Sequence, residues 1–508
     1  MSPATAPHPR RWQALIVLAV SLLVVSVGNT ILNVALPTIQ EELDASSSEL
    51  QWIVDGYLLL FAGLLLAAGS LGDRFGRRRM LVGGLIVFGA GSVFAALATS
   101  SATLIASRAL MGVGAAGIMP TTLSIISNIF PADERPKAIA IWAAAAGMGV
   151  AIGPLTGGWL IEHVDYSAVF VVNLPAVAAC LIGAALLVPE SCDPDSPRLD
   201  VTGAALSVAM LTALVWALIE APERGWTDPL ILAAFAAGTV LLAAFVAWER
   251  RVEHPMLEVS VFRNLRFSAA SLSITFVYFA LMGVMYFLTT YLQTVLGMSA
   301  LDAGVQMLPI AAGMIVAARL SVVLTPRVGT KIVVAAGLAT VAGSLVLLTG
   351  FGIDTGAREI SLALATMGAG VGLAMAPATE AIMGSLPAAK AGIGSAMNDV
   401  VREVAGTLGI AVLGSLLASA YASGMDGAVA DLPPDAAAAA TDSVGAAHAI
   451  GGEQLVAAAD LAFVDAMTTT ATIAAVVAIA GALIAAAFLP ARAPAAAGGA
   501  ELPAPAPA

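Results

Sequence analysis

The run Gly69-Ser70-Leu71-Gly72-Asp73-Arg74-Phe75-Gly76-Arg77-Arg78-Arg79 decides the reading of this chain. It is a short charged loop between two apolar stretches, near residues 50–71 and 80–99. Each stretch has about the ~20 residues needed to cross a hydrocarbon core of ~30 Å. The glycines permit a tight turn and close helix approach. Asp73 is placed to meet a helix N-terminus, whose partial positive charge favours an anion, or to pair with the neighbouring arginines. A loop that only anchored topology would need Lys and Arg alone. The spaced glycines and the embedded aspartate therefore point to a moving part.

Working outward, further apolar runs lie near residues 13–36, 102–125, 137–160 and 168–188, then 200–219 and 229–248. The last six lie near 267–292, 303–324, 331–351, 359–383, 392–420 and 463–489, fourteen spans in all. Lipid leaves a spanning backbone only helices or closed barrels, and the short alternating segments of a barrel are absent. The predicted class is an all-α integral membrane protein. Its 508 residues are 59% apolar and only 11% charged, against about 25% charged in soluble domains. Mean hydropathy is +0.93.

Of the 22 lysines and arginines, Arg224 and Arg358 fall on one side of the predicted membrane, and Arg108, Arg319 and Arg402 fall within spans. The rest share the side of the N-terminus, which the positive-inside rule makes cytoplasmic. Both termini are then cytoplasmic, and the plasma membrane is the expected location. The net charge of −12 is largely an outer-face property, with Glu41, Glu42, Asp44 and Glu49 crowding the first outer loop. No nucleic-acid partner is expected. The stretch after Arg10-Arg11 is about twice the 7–15 residues of a signal peptide's apolar region, so it reads as an uncleaved first span. Cys180 and Cys192 imply neither a disulfide framework nor a metal site, and four scattered histidines leave no metal or cofactor centre. No nucleophile–base pair and no phosphate-binding loop of the Gly-x-x-x-x-Gly-Lys-Ser/Thr type is present, so neither an enzyme nor an ATP-driven pump is expected. Scarce lysine and abundant alanine suit a GC-rich, bacterial genome.

The expected organisation is a cytoplasmic tail over 1–12, a six-helix bundle over 13–188, two inserted helices with linkers over 189–266, and a second six-helix bundle over 267–489. A long outer loop at about 421–462, of low order or a short hairpin, interrupts the second bundle, and a disordered tail covers 490–508. An internal echo supports two halves: Leu320 to Lys331 keeps Arg327, Gly329 and Lys331 at the spacing of the first loop.

Three further features carry chemistry. Arg108 lies about six residues inside the fourth span, where a bare arginine costs ~2.5–3.5 kcal/mol even on a lenient insertion scale; the alternative is snorkelling to the interface. In Gly147-x-Gly149-x-x-x-Gly153-Pro154-x-x-Gly157-Gly158 small residues let helices pack closely and Pro154 bends the fifth span. Acids also lie inside spans: Asp55 in the second, and Asp399 and Glu403, one turn apart on one face, in the thirteenth with Arg402 beside them. Burial favours the neutral form of a carboxyl and a nearby arginine favours its anion, so such a group can exchange a proton as its cavity switches exposure. Asp55 also reads as an outer-interface residue, and Asp399 and Glu403 as a cytoplasmic helix end.

The loop Gly69, Gly72, Asp73, Arg74, Gly76, Arg77 resembles that of the major facilitator superfamily. The Arg108-x-x-x-Gly112-x-Gly114 run and the Gly147–Gly158 run resemble its fourth-helix and fifth-helix antiporter motifs. With Asn29-Thr30-Ile31-Leu32-Asn33-Val34-Ala35-Leu36-Pro37, Gln51-Trp52-Ile53-Val54-Asp55 and Gly394-Ser395-Ala396-Met397-Asn398-Asp399, almost the whole chain is similar to the 14-helix drug:proton antiporters. The resemblance implies two six-helix bundles plus two inserted helices, and a monomeric exporter of amphipathic drugs or antibiotics driven by protons. It implies a loop that latches one conformation and a part for Arg108 in proton transfer. An exporter of a lipid, an envelope precursor or an endogenous metabolite would share every motif. One departure stands out: many relatives carry an aspartate where this chain has Gly28.

Overall fold

A computed structural model describes residues 9–131, 134–192, 200–253, 255, 257, 259–383, 385 and 391–490. Among these residues there is no strand. The helices, in chain order, are α1 (Arg11–Leu43), α2 (Ser47–Phe75), α3 (Arg77–Ala96), α4 (Ser101–Ile129), α5 (Arg135–His163), α6 (Ala168–Val171) and α7 (Asn173–Leu187), then α8 (Val201–Arg224) and α9 (Pro229–Glu249). There follow α10 (Leu265–Thr290), α11 (Ala300–Val328), α12 (Thr330–Leu348), α13 (Ala357–Met383), α14 (Ala391–Met425), α15 (Pro434–Asp442), α16 (Val444–Ile450) and α17 (Glu453–Phe488). Thirteen helical segments of the described residues are long and apolar enough to cross a membrane. The 29-residue α5, at ~1.5 Å per residue some 43 Å, is also long enough to cross.

Side-chain caps set where these helices begin. Ser46 and Ser100 each close a capping box at the start of α2 and α4. Asp200, Asp228, Asn264 and Ser299 accept from the first free amides of α8, α9, α10 and α11, which have no partner within their helix. The sixth crossing is broken between α6 and α7, because Pro175 has no amide hydrogen to return to the Val171 carbonyl.

Helices α1 to α7 pack as one bundle, and α10 to α14 with α17 as another. The inserted α8 lies against α2 and α14 through Leu211, Val215 and Ile219, and α9 packs on α8. The internal echo is visible in the backbone. Gly76 (φ 117°) joins α2 to α3 and Gly329 (φ 92°) joins α11 to α12, a left-handed turn that a side chain would strain.

The long outer connection differs from its expectation of low order or a hairpin. It folds as α15 and α16. Pro434 opens α15, the Ala436–Ala440 run propagates it with the best helix former, and Ser443 caps α16 by accepting from the Gly445 and Ala446 amides. The expected tail over 490–508 lies outside the described residues beyond Pro490.

Candidate functional site at the bundle interface

The fourth-span arginine is held by backbone. Arg108 is fully buried, so it does not snorkel. Its Nε donates to the Ile53 carbonyl of α2 and its Nη1 to the Gly28 carbonyl of α1, both at 3.2 Å. The Tyr57 ring lies beneath, its centroid 4.3 Å from the guanidinium carbon. A helical carbonyl keeps a second lone pair for such a donor. Gly112 brings the acceptors into reach: a β-carbon there would strike the Tyr57 backbone, and one at Gly114 would strike the Phe88 backbone of α3. The glycines of this motif thus set how closely α2 and α3 approach the arginine.

Asp55 is likewise fully buried, and neither carboxyl oxygen has a hydrogen-bond partner. It is enclosed by protein. Gln51, one turn away on the same face, is 1% exposed with Oε1 also unpartnered.

On α14, Asp399 is buried and Glu403 half-buried. Asp399 lies roughly 12 Å along the helix from Ala391, so it does not sit at a helix end. Arg402 Nη1 approaches Asp399 Oδ1 at 3.8 Å, and its guanidinium carbon lies 4.8 Å from the Tyr278 ring centroid on α10. Asn398 donates to Asp399 at 3.4 Å and accepts from Thr379 of α13 at 3.1 Å. One acid is therefore unpaired, and the other is loosely paired and held by a side-chain relay.

In the loop, Arg77 Nε donates to Asp73 Oδ1 at 2.7 Å. The acid at the start of α3 is Glu190, from the far side of the same bundle: it accepts from the Arg78 amide at 3.1 Å and faces the Arg78 and Arg79 guanidiniums at 3.6 and 3.7 Å. Asp73 thus pairs with an arginine, and Glu190 takes the helix-terminus role. Arg74 lies over Phe75 at 5.6 Å. A β-carbon at Gly69 would sit 3.5 Å from Pro120, and one at Gly72 2.8 Å from Thr121.

The fifth-helix glycines divide between two partners. On α1, β-carbons at Gly149 and Gly153 would strike Ser26 and Thr30, and one at Gly157 would lie 2.9 Å from the Ile31 carbonyl. Thr30 Oγ1 donates to the Gly149 carbonyl at 2.8 Å. Gly158 instead faces the Ala300 carbonyl of α11, and Gly304 of α11 faces the Pro154 carbonyl. The Gly-Pro-x-x-Gly-Gly ending is thus where α5 meets the other bundle.

All side-chain hydrogen bonds joining the bundles, among the described residues, cluster at the end of the molecule that holds α15 and α16. Gln40 donates to Ser443 at 2.5 Å, and Ser47 donates to Asp442 through its amide at 3.1 Å and its hydroxyl at 2.6 Å. Tyr286 donates to the Ser47 carbonyl at 3.4 Å and Gln293 to the Val34 carbonyl at 2.7 Å. At the opposite end, the loop residues bond only within their own bundle.

This architecture and its motifs match known proteins. The profile of the Major Facilitator Superfamily matches residues 18–410. The chain belongs to the major facilitator superfamily. It is 37% identical over 95% of its length, and 97% of the other's, to the multidrug efflux pump LfrA of Mycolicibacterium smegmatis. It is 35% identical to the tetracenomycin C resistance and export protein of Streptomyces glaucescens, over 82% of this chain and 78% of that one. Among solved structures, a bacterial homologue of the human lysosomal transporter Spinster superposes with a TM-score of 0.67 at 19% identity, covering 95% of this chain and 98% of that one. The chain is thus a multi-pass membrane transporter of the two-bundle fold, similar to named drug-efflux and antibiotic-export members.

Sequence reasoning missed several residues of this facilitator's centre. Tyr57 and Tyr278 lie against the two buried arginines, and Gln51 shares the face of Asp55. Aromatic residues near intramembrane arginines were the available signal. Glu190 gave none, since only folding brings it to α3.

Proposed function

We propose that the protein exports amphipathic drugs, antibiotics or similar small molecules in exchange for protons, by alternating access. It would lie in a bacterial plasma membrane with both termini cytoplasmic and work as a monomer. The observation that carries the reading is the pair of buried acids: Asp55 with no partner, and Asp399 held loosely by Arg402. Burying an unpaired charge is expensive, and a proton on the carboxyl removes that cost. Arg402 and Glu403 tune Asp399, and Arg108 holds the approach of α1 and α2 around Asp55.

With the Gly76 loop cytoplasmic, the bonded end of the seam is the outer one, and we read this conformation as closed to the outside. Substrate then enters between the bundles from inside. Protonation of the acids from outside and their deprotonation inside would drive the bundles through the reverse swing. Each charge moved brings ~2.3 kcal/mol per 100 mV of membrane potential. The loop would latch the opposite, outward-open state. The names of the efflux relatives support the direction of transport.

The test is accumulation of a panel of amphipathic antibiotics and dyes in an efflux-deficient host, with and without a protonophore, alongside everted vesicles under an imposed pH gradient. Protonophore-sensitive exclusion of several compounds is expected. Flux that ignores the proton gradient would remove the antiport reading, and a strict preference for a lipid or envelope precursor would replace the substrate class.

A further inference from the structure

At the bonded end of the seam, beneath α15 and α16, lies a partly enclosed cavity of about 50 Å³. Gln40 and Ser47 line it from the first bundle, Tyr286 and Thr290 from α10, and Asp442 and Ser443 from above, with Gln51 also on its wall. A cavity admits a water once roughly 10–15 Å³ is open to the water's centre, provided two to four polar groups can bond it. This one has room for several, with these polar groups set in a wall that is otherwise mostly apolar. Gln51 Oε1, buried and without a partner, supplies an acceptor that nothing in the protein satisfies, and a buried amide oxygen left so is costly. Gly414 makes room for it: a β-carbon there would lie 3.0 Å from Gln51 Cδ and Oε1. One turn deeper on the same face of α2 stands Asp55, also unpartnered.

The roof is built to move. α15 and α16 are tied to the second bundle by Tyr421, which donates to the Ala440 carbonyl at 2.9 Å, and by His448 against Asp460 at 2.7 Å. Across the seam Gln40–Ser443 and Ser47–Asp442 hold them to the first bundle. Parting of the bundles breaks the second set and leaves the first, so the roof lifts with the second bundle.

We infer that this cavity is a hydrated antechamber through which Asp55 exchanges protons with the outside once the α15–α16 roof lifts. Waters bridging from Gln51 carry the proton inward past Asp442, Tyr286 and Tyr421, the titratable groups that face the space. While the roof is bonded Gln51 stays buried beneath it, which restricts its exchange with the outside. The inference rests on the reading of Asp55 as a coupling acid.

The experiment pairs Gln51→Leu with Asp55→Asn in proteoliposomes. Gln51→Leu should slow pH-gradient-driven uphill transport by roughly tenfold or more, the scale of losing one proton-transfer partner, while counterflow, which needs no net proton movement, declines far less. Coupling lost in Asp55→Asn but intact in Gln51→Leu overturns the antechamber alone. Coupling intact in both overturns it together with the role of Asp55. In case Gln51→Leu inserts poorly, Gln51→Cys in a background of Cys180→Ala and Cys192→Ser is probed with an impermeant methanethiosulfonate from outside. Labelling should accelerate about tenfold or more when Gln40→Ala and Ser443→Ala release the roof, since only a hydrated thiolate reacts. Equal rates with and without those two changes would overturn the inference.

Discussion

Arg108 of α4 donates to the carbonyl of Gly28 on α1 at 3.2 Å. The charge is met here by a peptide dipole and not by an acid, and the room is small: a β-carbon at Gly28 would stand 3.0 Å from the Phe88 ring. Arg108 therefore joins three helices through Gly28, Ile53 and Tyr57 without forming an ion pair with Asp55 among the described contacts.

Arg108→Lys keeps the charge but cannot reach two carbonyls on different helices with a planar fork. Transport should fall about tenfold or more, and the purified protein should lose on the order of 2 kcal/mol, the worth of one hydrogen bond to a charged group. Thermal unfolding in detergent and vesicle flux measure the two. Wild-type values for both would show that the lysine restores what the guanidinium does.

Asp399→Asn preserves shape and can still receive the Asn398 amide, but it cannot titrate. Substrate binding and part of the counterflow should persist, with proton-driven uphill transport lost. Substrate-induced proton release from purified protein is the direct readout. A variant that releases as many protons as the parent and still concentrates substrate would shift the coupling role to Asp55.

Gly157 and Gly158 are neighbours with different partners, so their substitutions should separate. Gly157→Leu meets Ile31 inside the first bundle and should cost roughly 1–3 kcal/mol of stability as overpacking. Gly158→Val meets Ala300 across the seam and should favour outward opening, seen as increased outside labelling and proton leak. Identical effects from the two would mean that α5 does not act as a hinge between bundles.

Asp73→Asn removes a half-exposed pair with Arg77 that is worth at most ~1 kcal/mol. Stability should barely change, whereas turnover should drop severely if the loop latches the outward-open state. Normal efflux from a well-expressed Asp73→Asn protein would falsify the latch.

The sequence by itself determined the class and the count of crossings. Apolar length and the bar on unsatisfied backbone in lipid leave little choice, and the positions of Gly76 and Gly329 fix turns through rules that act within a few residues. Tertiary structure alone decided the partners. Gly149, Gly153 and Gly157 read as one small-residue face, yet only packing shows that this face meets α1 while its neighbour Gly158 meets α11. Arg108, Asp55 and Asp399 were visible as charges in spans. The Asp399–Arg402 pair lies within one helix and was legible, but that Arg108 bonds to carbonyls of α1 and α2, and that Asp55 has no partner among the described residues, depends on how separate helices pack. Glu190 at the start of α3, and α15–α16 over the seam, were hidden for the same reason: periodicity records which face is apolar and not which helix covers it.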